Sequence, residues 1–214
     1  MPVQAKICGL STPDAVLAAV EGGAGLIGFT FFPKSPRNVT PERAAALAAP
    51  IRGRGVKVVA VTVDASDAMI DLLATTLKPD LIQLHGHETP QRAAEVRARS
   101  GAGVIRALRI SEAADLGEAE AFEDVVDHLM FDAKAPAGAL LPGGNGAAFD
   151  WTLLAGRRYA KPWFLAGGLN PDNVTEAVRA SGAPMVDVSS GVETAPGVKD
   201  PTLIKAFLEA VRRA

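Results

Sequence analysis

The sequence predicts an α/β protein, a (β/α)8 or TIM barrel, built as a single domain over residues 1–214. Three observations predict it. Short apolar runs alternate with helical patterns along the whole chain, which implies a parallel sheet. Eight such strand–helix units can be counted, the number that closes a sheet on itself. The runs are also too apolar to have a wet face, as expected of strands buried on both sides. An open doubly wound sheet is the alternative, but it usually has fewer units and no need of an eighth strand. No linker or shift in composition divides the chain.

The elements follow in order. Val3 to Ile7 reads as the first strand, and a helix from Pro13 to about Glu21 follows with Thr12 as its N-cap. Leu26 to Thr30 is the second strand, and Thr40-Pro41-Glu42 opens its helix, which reaches about Ala49. Val56 to Val63 is the third, followed by a helix over Ser66 to Thr76 with Asp67 in its first turn. Leu81 to Leu84 is the fourth, with a helix from Thr89-Pro90 to about Arg99. Gly103 to Arg109 is the fifth, and Ser111 to Phe122 its helix. His128 to Asp132 is the sixth. The loop from Ala133 to Ala148 has no pattern and is rich in Gly, Ala and Pro, which marks it as the most mobile part of the site and a cover for a ligand. A short helix starts near Asp150. Trp163 to Ala166 is the seventh strand, and Asn170-Pro171-Asp172 caps a helix to about Ala180. Met185 to Val188 is the eighth, and Pro201 opens a final helix to about Arg212.

Composition narrows the function. Of 214 residues, 48% are apolar and the net charge is -2 without a Lys/Arg cluster, which argues against nucleic acid or a membrane surface as partner. A single cysteine excludes an intrachain disulfide and fits a reducing cytoplasm. No stretch is long and apolar enough to span a bilayer, and no signal-peptide pattern opens the chain. One Cys and three His (His85, His87, His128) make no metal-ligand spacing, so no metal is expected. No dinucleotide or Walker motif is present, so no cofactor is expected either.

The chemistry of such a barrel stands at the C-terminal strand ends. In order, those ends offer Cys8, the Ser35–Arg37 loop, Asp64, His85, Arg109, Asp132, Gly167-Gly168 and Ser189-Ser190-Gly191. The last two form a candidate phosphate cradle after strands seven and eight, where backbone N–H groups can approach an anion. A small phosphorylated molecule is therefore the expected ligand. Cys8, followed at once by Gly9, is the candidate base, and Asp132 its candidate acid partner across the mouth; from spacing alone a small buried hydrophobe is the plainer reading of Cys8, and a cap or a salt bridge to Lys134 is the alternative for Asp132. Lys6 shares a face with Cys8 one layer deeper, and its ammonium is expected to lower the thiol pKa. Arg37, between Pro36 and Pro41, offers a fork for a carboxylate; a solvated loop charge is the plainer reading. His85 is either a ligand contact or a loop cap. Asp187, buried deeper than Ser189, needs a partner, and Lys6 on the adjoining strand is one; a substrate amine is another. Asp64 and Arg109 read as a pair across the mouth. His87, His128, Trp151 and Trp163 read as structural.

Several multi-residue stretches carry a resemblance. They are Lys6-Ile7-Cys8-Gly9, Gly28-Phe29 to Val39 with Ser35-Pro36-Arg37, Gln83-Leu84-His85-Gly86, Phe131-Asp132, Phe149-Asp150-Trp151, Ala166-Gly167-Gly168-Leu169, Val186 to Glu193, and Pro196-Gly197 with Lys199-Asp200. In this order, and over the whole chain, they resemble the phosphoribosylanthranilate isomerases of tryptophan biosynthesis. The resemblance implies an Amadori rearrangement of N-(5-phosphoribosyl)anthranilate without a cofactor. It gives Asp132 the general acid's place and Cys8 the general base's. Arg37 takes the place facing the anthranilate carboxylate, Asp187 one near the amine, and the glycine/serine loops the phosphate site. Members occur as monomers and as homodimers. Alternatives are the related aminoaldose isomerase of histidine biosynthesis, against which Cys8 counts, and a non-catalytic phosphate-binding barrel.

Overall fold

The computed structural model of the chain describes residues 2–134, 143, 146 and 148–214. Eight strands run in sequence order around a closed parallel barrel. They are β1 (Gln4–Ile7), β2 (Leu26–Phe31), β3 (Lys57–Thr62), β4 (Leu81–Leu84), β5 (Gly103–Ile110), β6 (His128–Ala133), β7 (Trp163–Leu165) and β8 (Met185–Val188). Closure is made by β8 pairing back to β1, with Lys6 opposite Asp187. The surrounding α-helices are α1 (Pro13–Glu21), α2 (Pro41–Ala48), α3 (Asp67–Leu72), α4 (Pro90–Ser100), α5 (Val174–Ser181) and α6 (Pro201–Arg212). Among the described residues, no helix is long and apolar enough to cross a membrane.

The helices start where the sequence offers an acceptor. The side chains of Thr12, Thr40, Ser66 and Thr89 each accept from the N–H three residues on, and Asp200 accepts from Thr202 and Leu203. A proline stands at the first helical position of α1, α2, α4 and α6, where its missing N–H costs nothing. Each such cap contributes about 1 kcal/mol.

Strand alternation sorts the apolar residues into two layers. Ile27, Phe29, Val58, Ala60 and Phe131 join the large core between sheet and helices. Leu26, Val59, Val61, Leu81, Met130, Phe164 and Met185 fill the barrel interior together with Cys8. Cys8 thus lies above the interior filling, at the end of an inward-facing row.

Three elements differ from the sequence reading. The segment expected as a helix over Ser111 to Phe122 is a 3-10 helix, Ala113–Phe122. The Asp115 carboxylate accepts from Ser111 N (2.7 Å), Ser111 Oγ (2.9 Å) and Glu112 N (3.1 Å), tightening its first turn, and Gly117 weakens α propensity in its middle. The helix read over Ser66 to Thr76 ends its α form at Leu72 and widens into a π turn, Leu73–Leu77. There the Thr75 hydroxyl bonds back to the Asp71 and Leu72 carbonyls. The helix after β7 begins at Val174, because Asn170 Oδ1 accepts from the N–H groups of Asp172 and Asn173 and holds a separate turn. A hairpin that the sequence reading did not foresee, β9 (Glu193–Ala195) with β10 (Val198–Lys199), follows β8. The expected mobile cover from Ala133 to Ala148 falls largely on residues 135–142, 144, 145 and 147, which lie outside the described residues.

Candidate active site

One cavity opens at the C-terminal ends of the strands. Its lining includes Cys8 after β1, Arg37 from the loop after β2, Gln83 and His85 at β4, Asp132 at β6, Gly167 and Gly168 after β7, and Asp187, Ser189 and Ser190 at β8. Every site residue predicted from the sequence lines it except Gly191. That glycine packs against the Leu169 carbonyl, where the two glycine/serine loops touch.

Cys8 is buried. Beneath it Lys6, fully enclosed, donates from Nζ to Asp187 Oδ1 at 2.8 Å. The sequence reading expected Lys6 to lower the thiol pKa, and the net shift is the opposite. Burial pushes the Cys8 thiol up, and the pull of the Lys6 ammonium does not overcome it. Lys6 itself is raised: burial works against its charge, and the charges of Asp187 and Cys8 more than offset that. Asp187 has the Lys6 partner anticipated for it.

Asp132 is held at both oxygens. Its Oδ1 accepts from Ala133 N at 2.9 Å, and its Oδ2 lies 3.0 Å from His85 Nε2. The other ring nitrogen of His85 lies 2.9 Å from Gln83 Nε2. His85 therefore does more than cap a loop, because it faces the cavity and orients the carboxyl. Arg37 is buried rather than solvated. Its Nε and Nη2 donate to Glu193 Oε1 and Oε2 at 2.7 and 2.8 Å. The fork that the sequence offered to a carboxylate thus engages one inside the protein.

The loop expected to cradle an anion is shaped by its backbone. Gly167 has φ +84°, and a Cβ there would stand 2.5 Å from Ala133 N, so the loop passes too close to β6 for any side chain. The Gly168 carbonyl accepts from Asn173 Nδ2 at 2.9 Å. Across from it, Lys199 Nζ donates to Ser189 O at 2.8 Å and to Ser189 Oγ at 3.2 Å. Glu193 and Lys199 were missed as site residues. The sequence signal was their place in the resembling stretches, but Arg37 and Glu193 stand 156 residues apart, so no spacing rule joins them.

Asp64 and Arg109 do not pair directly. His87 stands between them: its N–H donates to Asp64 Oδ1 at 2.6 Å, and its Nε2 lies 3.1 Å from Arg109 Nη1. These groups lie outside that cavity, beside a groove that His87 and Arg109 share with Arg106 and Glu118. Trp163 packs edge-on against Phe131 and Tyr159, as a structural residue does. A thiol and a carboxyl in one cavity, beside a glycine-lined anion cradle, can together move protons within a small phosphorylated molecule.

Residues 5–210 match the family model described as N-(5'phosphoribosyl)anthranilate (PRA) isomerase. The chain is 65% identical over 211 residues to an N-(5'-phosphoribosyl)anthranilate isomerase of Caulobacter sp. (strain K31), covering 99% of each. It superposes on the crystal structure of phosphoribosyl anthranilate isomerase from Thermotoga maritima with a TM-score of 0.88 at 34% identity, covering 99% of this chain and all (100%) of that one. A further structure of phosphoribosyl anthranilate isomerase, in complex with reduced 1-(o-carboxyphenylamino)-1-deoxyribulose 5-phosphate, aligns with a TM-score of 0.83 at 32% identity over 99% of this chain and 100% of that one.

Proposed function

Because the chain belongs to the N-(5'-phosphoribosyl)anthranilate isomerase family, we propose that Asp132 and Cys8 are the acid and base of its reaction. That reaction converts N-(5-phospho-β-D-ribosyl)anthranilate to 1-(2-carboxyphenylamino)-1-deoxy-D-ribulose 5-phosphate, a step of tryptophan biosynthesis. The observation that carries the proposal is that Cys8, after β1, and Asp132, on β6, line one cavity with the glycine/serine loops.

Asp132 gives a proton to the ribose ring oxygen as the C1′–O bond breaks. The nitrogen lone pair forms the C1′=N bond, leaving a protonated Schiff base. Cys8, as thiolate, takes the C2′ proton. The C–H electron pair becomes the C1′=C2′ bond of an enolamine, and the iminium pair returns to nitrogen. The C2′ hydroxyl then loses a proton and C1′ gains one, giving the ketone. Substrate and product are isomers, so an internal proton shift accounts for the change.

The remaining residues hold the substrate. Its phosphate lies on Gly167, Gly168, Ser189 and Ser190, which line the cavity and offer backbone N–H groups and hydroxyls, with Gly191 behind them against Leu169. Arg37 faces the anthranilate carboxylate and Asp187 the amine. His85 orients Asp132 through the contact at 3.0 Å. Fixing both ends of an extended substrate places C2′ at the thiol and the ring oxygen at the carboxyl.

The test is a turnover assay. Phosphoribosylanthranilate is generated in situ and loss of its fluorescence is followed for wild type, Cys8→Ala and Asp132→Asn. The expected result is rapid loss with wild type and a rate lower by about two to four orders of magnitude in each variant. A variant with near-normal kcat would remove that residue from the mechanism.

A further inference from the structure

Glu193 lies outside the acid–base chemistry, yet its bonding is complete. Its side chain is 4% exposed. Oε1 accepts from Arg37 Nε at 2.7 Å and Lys199 Nζ at 2.6 Å. Oε2 accepts from Arg37 Nη2 at 2.8 Å and Gly197 N at 3.3 Å. A carboxylate has about four acceptor positions, and these four bonds use them. Burial alone would raise this carboxyl, but Arg37 and Lys199 outweigh it and hold Glu193 below the usual carboxylate range.

The groups that Glu193 holds come from two different parts of the chain. Arg37 comes from the loop after β2. Lys199, with its side chain 1% exposed, grips the carbonyl and hydroxyl of Ser189, at the root of the loop after β8. Among the described residues Glu193 is the carboxylate that pairs with Lys199, and losing it leaves a buried ammonium without its counter-charge. Removing the Glu193 charge therefore loosens Arg37 directly and Ser189 through Lys199. The hairpin β9–β10 exists to carry this group: Glu193 and Lys199 are cross-strand neighbours in it.

We propose that Glu193 is a positioning residue that couples the carboxylate-binding and phosphate-binding ends of the cavity, bracing Arg37 with both oxygens and Ser189, through Lys199, with Oε1. The proposal rests on the ligand assignments above. It adds that the two ends are not independent sites, so weakening the brace costs affinity at both.

The experiment uses the full chain and two probes, reduced 1-(o-carboxyphenylamino)-1-deoxyribulose 5-phosphate and inorganic phosphate. Titration calorimetry gives Kd for each with wild type, Glu193→Gln and Glu193→Asp, and steady-state kinetics gives KM and kcat. Glu193→Gln is expected to weaken the reduced product analogue about tenfold or more, as loss of one charge-assisted contact does. It should weaken phosphate as well, and raise KM far more than it lowers kcat. Glu193→Asp keeps the charge and should recover part of the loss at both probes. A lower melting temperature with unchanged Kd for both probes would overturn the proposal, as would weaker analogue binding with phosphate affinity intact. Should Glu193→Gln fail to fold, Glu193→Asp carries the same comparison, and equal Kd values to wild type would overturn it. Failure of wild type to bind the analogue would instead remove the ligand assignments, and this proposal with them.

Discussion

Lys6 and Asp187 face each other across the seam that closes the barrel, Nζ to Oδ1 at 2.8 Å, on paired positions of β1 and β8. The contact seals the sheet with a charge pair directly below the Cys8 thiol. Lys6 is completely enclosed and the Asp187 side chain is 9% exposed, so neither charge can turn to water when its partner is lost.

Asp187→Asn is therefore expected to destabilise the fold by about 3–5 kcal/mol, because it leaves a buried ammonium without its counter-charge. Urea denaturation measures this. A loss under about 1 kcal/mol would mean the Lys6 charge is balanced elsewhere.

The same pair sets an alkaline limit. The folded-state pKa of Lys6 is raised, so its stabilisation is fully present below the unfolded value of about 10.4 and is lost as pH climbs through the folded one. Wild type should lose stability over that range, and the double variant Lys6→Met/Asp187→Leu should lack this component. Parallel alkaline profiles for the two would contradict the assignment.

Thiol chemistry gives a third test. Burial raises Cys8 in spite of Lys6. Alkylation by iodoacetamide should therefore show a pH midpoint above the ordinary thiol value of about 8.5. Modification should abolish turnover, and the reduced product analogue should slow it. A midpoint below that of a free thiol would mean the Lys6 ammonium outweighs burial.

This case marks the boundary of what the sequence could reveal. The eight strands, their order and the caps at Thr12, Thr40, Ser66 and Thr89 were legible, because apolar period and hydroxyl acceptors are local signals. So was the inward row of Lys6 and Cys8, since strand alternation is fixed. The direction of the Cys8 shift was not legible. Spacing can place an ammonium near a thiol, but it says nothing of how completely the two are dried. The 3-10 form of Ala113–Phe122 was hidden for a related reason, because the Asp115 side chain rather than residue pattern sets its first turn. Glu193 and Lys199 were missed because a hairpin of three and two residues has no apolar run to announce it.

The glycine cradle can be tested without touching a charge. Gly167→Ala puts a Cβ against the Ala133 backbone at positive φ. It should cost more than about 1 kcal/mol and raise KM. Gly53→Ala is the control, since Gly53 also has positive φ (+78°) but no heavy atom within 4 Å of an added Cβ. Equal losses in stability and KM for the two variants would show that backbone conformation alone, and not the close approach to β6, matters at Gly167.

The acid limit of stability points to the other end of the barrel. His128, at the start of β6, stacks at a tilt against Phe164 with ring centroids 5.6 Å apart, and its buried Nδ1 has no partner among the described residues. Burial lowers its pKa, and the nearby Lys57 charge adds to this, against a smaller opposing pull from Asp127. The folded state therefore binds a proton less readily than the unfolded chain, whose histidines titrate near about 6.5. Stability from the neutral ring is complete above that value and is lost as pH falls toward the lower folded pKa. Melting temperature should drop as pH falls below about 6.5 in wild type, and His128→Gln should flatten that part of the profile while its neutral-pH turnover stays near normal. An unchanged acid slope in His128→Gln would contradict this assignment.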